Sequence, residues 1–503
     1  MKPALSIAVL VIAPALSGLS LAPAQATGDA DVGLVPGAGS YPSYLTVDGD
    51  YLYFRANSAV GGNDVELYRY DGTTAELLGD ISPGPTGSNP SYLTFWNGKL
   101  YFSASGPTGK IQLWVYDGTG VSLAPGSESQ ASLPEELTVY QGNLYFRATR
   151  YGGYPGLPNI GTELWKFDGV TQTPMDLYPG TGNSYPNQFI EWRGKLWFRA
   201  GAVNDGSELF SYDGVTAGLA VNIDADPYEG ASPEEFVVFN DKLYFRARAD
   251  DYGNELWGYD GTTVRRRTDI FPGAESSNPY GMTVYDGAIY FGAEDGVNGC
   301  ELWSYVGGVA TLVENINKNA PLPGVDPVHH SWPSHFTVCD DLLYFSADDG
   351  VHGRELWVYD GTEARMVEDL CPGPYGSEPQ ELTVYRNSLY FVAYPGELST
   401  AKDLWRAGRL ADVAFRRGDS NLDGDLDVSD PIAVLLYLFA GSASLSCEKG
   451  GDWDDNGALD LSDAVSLLQT LFLGAPPPAG STGECALDLT ADTLTCVSYP
   501  GCE

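Results

Sequence analysis

The chain has 503 residues, enough for one large repeat domain with an appendage, and its 67 acidic against 27 basic side chains give a formal net charge of −40. A surface this acidic repels nucleic acid and anionic lipid and attracts divalent cations, so nucleic-acid binding is excluded as a function class. Charged residues are only 19% of the chain while Gly numbers 61 and aromatics reach 12%, which argues for β-structure with tight turns and against a disordered acidic tail.

Residues 1–26 read MKPALSIAVLVIAPALSGLSLAPAQA: a lone Lys2, an apolar stretch interrupted by Pro14, and a small-residue site at Ala24-Gln25-Ala26. That order describes a cleaved secretory signal peptide, which predicts a secreted or cell-surface protein. No later run of about 20 apolar residues is long enough to span a bilayer.

From Glu66 onward one string keeps returning. ELYRYDGT begins at Glu66, QLWVYDGT at Gln112, ELWKFDGV at Glu163, ELFSYDGV at Glu208, ELWGYDGT at Glu255, ELWSYVGG at Glu301, ELWVYDGT at Glu355 and DLWRAGR at Asp403. The starts lie 46, 51, 45, 47, 46, 54 and 48 residues apart. A period in the high forties with β composition predicts one propeller blade per repeat. Each unit supplies four strands, in the first unit Tyr44 to Val47, Leu52 to Ala56, Glu66 to Tyr70 and a variable stretch ending in Asp80-Ile81. Asp48-Gly49, Asn97-Gly98, Gln141-Gly142, Arg193-Gly194 and Asp286-Gly287 fall between the first two strands, and Asp71-Gly72 and its equivalents between the last two. Such pairs are hairpin loops whose central residues take positive φ. Alternation along ELWVY puts Glu355, Trp357 and Tyr359 on one face and Leu356 and Val358 on the other, both covered by neighbouring blades.

Residues 27–415 are therefore expected to form a mainly β, eight-bladed propeller, or a seven-bladed one if a unit is degenerate. The eighth unit, from Pro372 to about Phe415, lacks its Asp-Gly turn; its last strand is either Leu410 to Phe415 or the N-terminal Asp31 to Val35, which would close the ring. Arg55, Arg147, Arg199 and Arg246 recur at the fourth position of LYFRA in units that carry Glu66, Glu163, Glu208 and Glu255, which predicts ion pairs within each blade. Over residues 31–415 the chain resembles the bacterial ELWxxDGT-repeat proteins. That resemblance implies a secreted, propeller-like fold and specifies no activity.

Two units carry insertions: TRYGGYPGLPNIGT ending at Thr162, and Asn317 to His335. The second holds His329, His330 and His335 with Asp326 nearby, a set that suits either a transition metal and acid–base chemistry or a solvated loop. Asp80, Asp176, Asn222, Asp269, Asn315 and Asp369 recur before Pro-Gly-rich loops on one face, as a ligand ring or as loop caps. No GxSxG, P-loop or HExxH occurs. A glycosidase needs only two suitably spaced carboxylates, and the sequence selects no catalytic pair among 67 acidic residues.

After Arg417 the pattern changes. DSNLDGDLDVSD precedes PIAVLLYLFAG, and DWDDNGALDLSD precedes AVSLLQTLFLG. Each acidic string has the spacing of an EF-hand-like calcium loop. The first offers Asp419, Asn421, Asp423, the Asp425 carbonyl, Asp427 and Asp430, with Gly424 at the sharp turn. The second offers Asp452, Asp454, Asn456, the Ala458 carbonyl, Asp460 and Asp463, with Gly457 at the turn. Two Ca²⁺ ions are expected. Residues 418–474 resemble the type I dockerin repeat, which implies a calcium-folded helical module that docks onto a cohesin partner, often in polysaccharide-degrading systems. Leu422, Trp453 and Pro431 depart from that pattern, and Ser429 and Ser462, at the positions used for cohesin contact, serve equally as helix caps.

The remaining tail, 475–503, is Pro-rich. Its Cys485, Cys496 and Cys502 join Cys447 in a set of four that suggests two disulfides with three connectivities. The functions consistent with this organisation are a non-catalytic extracellular protein that binds a glycan or protein and assembles on a cohesin-like or cell-surface scaffold, a polysaccharide-degrading hydrolase or lyase, and a structural surface-layer component.

Overall fold

Each unit of the repeat folds as an antiparallel meander, because two-residue turns join strands whose large side chains find cover on both sides. The computed structural model describes residues 40–57, 64–127, 132–150, 158–202, 206–224, 230–249, 252–318, 329–396, 402–407, 416–440, 445, 447–454, 456 and 459–477. Blade 1 comprises Ser43–Asp48, Tyr51–Asn57, Val65–Tyr70 and Ala75–Gly79, hydrogen-bonded in that order. Eight such sheets follow one another; among the described residues seven have four strands, and the eighth has three, Gln380–Tyr385, Ser388–Ala393 and Asp403–Ala407. Each blade's first strand touches the first strands of both neighbours, and Ser43–Asp48 touches Gln380–Tyr385. The cycle closes, so the protein is an eight-bladed β-propeller whose first strands surround the centre. Both stretches considered for the last strand of blade 8, Asp31 to Val35 and Leu410 to Phe415, lie outside the described residues.

The LYF core explains why the strands read as apolar on both faces. Leu52, Phe54 and Ala56 pack against Tyr385, Val392 and Leu404 of blade 8, whereas Tyr53 and Leu67 pack against Leu100 and Phe102 of blade 2. Phe54, Phe102, Phe146, Phe198, Phe245, Phe291, Phe345 and Phe391 are all fully buried. Truncating any one of these rings to alanine costs about 3–5 kcal/mol.

Turn chemistry agrees with the sequence between the first two strands: Asn97 and Gly98 have φ of 50° and 70°, and Asp286 and Gly287 have 40° and 74°. Between the third and fourth strands it differs. Asp71 N donates to Thr74 O at 3.2 Å, so the loop pair is Gly72-Thr73, with φ of 91° at Gly72. Asp71 flanks the loop, and its Oδ1 accepts from Thr73 N and Thr74 N at 2.8 and 2.7 Å. These bonds hold its carboxyl well below the usual range.

The expected Arg–Glu pairing within blades does not form. Arg55 stands opposite Leu67 in the ladder and Ala56 stands opposite Glu66, so the two charged side chains leave the sheet on opposite faces. Arg147 bonds Glu135 instead, and Arg199 and Arg246 both bond Glu234. A double-mutant cycle should therefore give about 0.5–1 kcal/mol of coupling between Arg147 and Glu135 and none between Arg147 and Glu163.

C-terminal to the propeller, α1 (Ser429–Ala440), α2 (Glu448–Gly451) and α3 (Leu461–Leu473) follow, and α1 packs against α3. Pro431 sits in the first turn of α1, where its missing N–H has no partner to lose. Gly474 closes α3 in the left-handed conformation, φ 68°.

Candidate functional site

The two acidic loops fold around buried carboxylates. Asp419, Asp430, Asp452 and Asp463 are each fully buried, an arrangement that four carboxylates in so short a segment adopt only against donors or cations. In the first loop Asp419 Oδ1 accepts from Asp423 N and Oδ2 from Gly424 N, at 3.1 and 2.9 Å. Asp430 reaches back to Ser420 N at 3.0 Å and Asp427 N at 2.8 Å. Asn421 Oδ1 accepts from Asp423 N, and Asp423 Oδ1 accepts from Asp425 N. Asn421, Asp423, Asp425 and Asp427 are exposed.

The second loop repeats the design. Asp452 Oδ1 accepts from Asn456 N at 3.2 Å, and Asp463 accepts from Asp454 N and Asp460 N at 3.3 and 2.9 Å. One carboxylate oxygen from each of Asp452, Asp454 and Asp463 lies within 4.8 Å of the other two. Asp454 Oδ1 is buried without a hydrogen-bond partner. An orphaned carboxylate oxygen facing two further carboxylates suits a divalent cation, a hard ion that takes oxygen ligands. Ala458 and Gly457 of this loop lie outside the described residues. Burial, with Asp419 adding to it, raises Asp430 to about 6; burial, with Asp452 and Asp454 adding to it, raises Asp463 to about 6. Arg417 Nη1 stands 4.0 Å from Asp452 Oδ2 and donates to the Asp452 carbonyl at 2.6 Å.

Position nine of each loop serves as a cap. Asp460 is the N-cap of α3, accepting from Ser462 N at 2.6 Å in a capping box with Asp463. Asp427 accepts from Ser429 N at 2.7 Å in the same way. The caps are thus the aspartates; Ser462 Oγ reaches Asp454 Oδ2 at 3.0 Å, and Ser429 Oγ reaches Asp427 Oδ1 at 2.6 Å.

In the propeller, the glutamate of ELW turns out to tie blades together. Glu66, Glu163, Glu208, Glu255, Glu301 and Glu355 are all at most 1% exposed. Glu163 accepts from Leu177 N, Tyr178 N, Ser184 N and Ser184 Oγ, at 2.9, 3.4, 3.0 and 2.6 Å. Ser184 belongs to the segment leading into blade 4, and its carbonyl accepts from Gly201 N in that blade. Glu301 with Ser331, and Glu355 with Ser377, repeat the arrangement. It closes the ring: Ser40 N donates to Asp403 Oδ1, and Tyr385 Oη to Asp50 O. A signal for this existed in the sequence as a repeated Ser-x-Pro, at Ser40, Ser88, Ser184, Ser277, Ser331 and Ser377.

Burial outweighs the donated hydrogen bonds and raises Glu163, Glu208, Glu301 and Glu355 to about 7. Carboxyls in the unfolded chain titrate near 4.3, so these four bind protons more readily in the folded state. The stability they contribute is present below the unfolded value and is lost as pH rises through about 7. The propeller's calorimetric melting temperature should fall between pH 5 and pH 8; a rise over that interval contradicts the assignment.

Among the described residues the histidines do not converge as a metal-holding group. His330 Nδ1 accepts from Cys300 N at 2.9 Å and its ring stacks on Trp332, while His335 lies exposed in the first strand of blade 7. Asp326 lies outside the described residues. Of the Asx positions before the loops, Asp269 pairs with Arg266 and Asn315 bonds Asn298, while the loop amide of Ile81 goes to Glu66. Near the centre, Glu136, Glu381, Tyr44, Tyr92 and Phe189 line a cavity of about 360 Å³.

No protein-family model matches the chain, and a search of curated proteins finds no match. Among solved structures, the β-propeller domain of the Trilobed protease from Pyrococcus furiosus is similar at 13% identity and TM-score 0.39, covering 66% of this chain and 98% of that one. The Pyrococcus horikoshii acylaminoacyl peptidase is similar at 12% identity and TM-score 0.40, over 80% of this chain and 71% of that one. A prolyl endopeptidase is similar at 12% identity and TM-score 0.44, over 71% and 54%. Likeness at this level concerns the propeller fold and carries nothing about chemistry.

Proposed function

We propose that the protein is an exported, non-catalytic binding and assembly protein whose propeller engages a glycan or protein and whose C-terminal helices bind two Ca²⁺ ions and dock a cohesin-type or cell-surface partner. The observation that carries this reading is the convergence of the fully buried Asp452 and Asp463 with the half-buried Asp454, one of whose oxygens is unbonded. Asp419, Asn421, Asp423, Asp427 and Asp430 would hold the first ion, and Asp452, Asp454, Asn456, Asp460 and Asp463 the second, with the Asp425 and Ala458 carbonyls. Each ion would replace protons and mutual repulsion with shared positive charge, ordering the helix that its loop begins. Docking is supported by the apolar side chains that α1 and α3 leave in solvent: Ile432, Leu436 and Phe439 are 48, 47 and 72% exposed, and Val465 and Phe472 are 42 and 67% exposed. Export is supported by the first 26 residues and by Cys447, buried and disulfide-bonded. No helix among the described residues is long and apolar enough to cross a membrane. Calorimetric titration of the chelator-treated full chain with CaCl₂ tests the reading. Two sites with affinities of about 10⁻⁴–10⁻³ M or tighter are expected, and the absence of any calcium heat overturns it.

A second reading, a polysaccharide hydrolase or lyase, is favoured by the cavity that Glu136 and Glu381 flank. Incubating the full chain with a polysaccharide panel and calcium separates the two: the assembly reading expects no new reducing or unsaturated ends, and release from any polymer moves the function to these carboxylates.

A further inference from the structure

Three of the four arginines at the repeated second-strand position are neutralised by carboxylates. Glu135 stands across the ladder from Arg147, and Glu234 across from Arg246, with Arg199 reaching Glu234 from the preceding blade. In blade 1 the residue across from Arg55 is Ser43, and the matching position of blade 2 is Ser91. Arg55 Nε donates to Ser43 Oγ at 2.8 Å and Nη1 to Pro90 O at 3.4 Å, and its guanidinium lies 4.7 Å from the centre of the Tyr44 ring. Among the described residues it forms no ion pair. Its position is held by neutral groups, in a chain where acidic residues outnumber basic ones 67 to 27.

Arg55 and Lys402 line one cavity of about 300 Å³ at the seam between blades 8 and 1. Lys402 Nζ donates to the Glu378 carbonyl at 2.9 Å and lies 4.8 Å from the Tyr394 ring centre, while the Glu378 carboxylate stands 3.8 Å from Arg354. Burial lowers the Lys402 ammonium, with Glu378 opposing the shift and Arg354 adding to it. Ser43, Asn89 and Gln380 add uncharged polar groups to the walls, Tyr41 adds a ring 44% exposed, and none of the described residues that line the space is a carboxylate. Two cations in a partly desolvated cavity whose described walls are otherwise uncharged are an electrostatic deficit that an anion relieves.

The geometry points to a binding site for the carboxylate of an acidic sugar, with Arg55 and Lys402 holding the charge. Hydroxyls are met by Ser43, Asn89 and Gln380, and the ring face by Tyr41. A cavity of this size is at the small end of ligand sites and suits one sugar unit. The site rests on the reading of the propeller as a ligand-binding body and is independent of the calcium loops.

Titration calorimetry of the full chain with trigalacturonate and with its methyl ester, which lacks the charge and adds only a methyl group at each carboxyl, tests it. The acid is expected to bind at least about tenfold more tightly than the ester. Arg55→Ser, which installs the residue that blades 2 and 7 carry as Ser103 and Ser346, and Lys402→Gln should each weaken the acid about tenfold with melting unchanged. Equal binding of acid and ester, or unchanged binding by both variants, overturns the site while leaving the propeller a glycan binder. No binding of the acid by the wild type overturns the site.

Discussion

Glu163→Ala is expected to lower the stability of the propeller by about 3 kcal/mol. The carboxylate takes four donors, two from the loop after its own blade's last strand and two from Ser184, which leads into blade 4. Removing it strands Leu177 N, Tyr178 N and Ser184 Oγ around a position that water barely reaches, Glu163 and Ser184 being 0 and 1% exposed, while Ser184 N keeps a second acceptor in Thr162 O at 3.1 Å. Each stranded donor costs about 1 kcal/mol or more. Part of the loss is offset because the buried carboxyl itself is costly to ionise, as its rise to about 7 records. Glu163→Gln keeps one acceptor oxygen and turns the other into an amide that faces N–H groups, so it too destabilises. Blade 2 shows what a glutamine requires: Gln112 Nε2 donates to the Ser127 carbonyl at 2.6 Å. Guanidinium unfolding at pH 7 measures the effect, and an alanine variant within about 1 kcal/mol of the wild type would falsify the tie between blades.

The second large effect concerns the acidic loops. Asp463→Ala removes the group that accepts both Asp454 N and Asp460 N and that completes the three-carboxylate cluster. Under the proposed function, calcium stoichiometry drops from two to one, and the calcium-induced rise in helical circular dichroism falls by about half. Without calcium the same substitution also removes a like charge from beside Asp452 and Asp454, so the metal-free loss of stability is smaller than the loss in excess calcium. A variant that still binds two ions, or one that loses the same stability with and without calcium, counts against the assignment of Asp463.

The blade count, the strand order and the turns between the first two strands were legible in the sequence because they depend on local pattern, whereas the turn between the third and fourth strands lies one residue later than read, at Gly72-Thr73. A period in the high forties, alternation along each strand and glycine at the turns all act within one unit. The spacing of the acidic loops was legible for the same reason: Asp419 to Asp430 and Asp452 to Asp463 span only twelve residues each, so their carboxylates converge locally. The arginine–glutamate pairing was misread because residue spacing alone does not say which face of a sheet a side chain leaves. The ladder does, and it sets Arg55 against Leu67.

Local pattern along the chain is thus enough for the repeat, the β-propeller architecture and the place of the acidic loops. What the repeated glutamate bonds, which arginine lacks a carboxylate opposite it, and the meeting of Ser40 with Asp403 across 363 positions of chain are set by the assembled ring. Those relations join different blades, and the side chains concerned are chemically identical from one repeat to the next. Their partners follow from the order in which the ring closes, and closure is a property of all eight blades together.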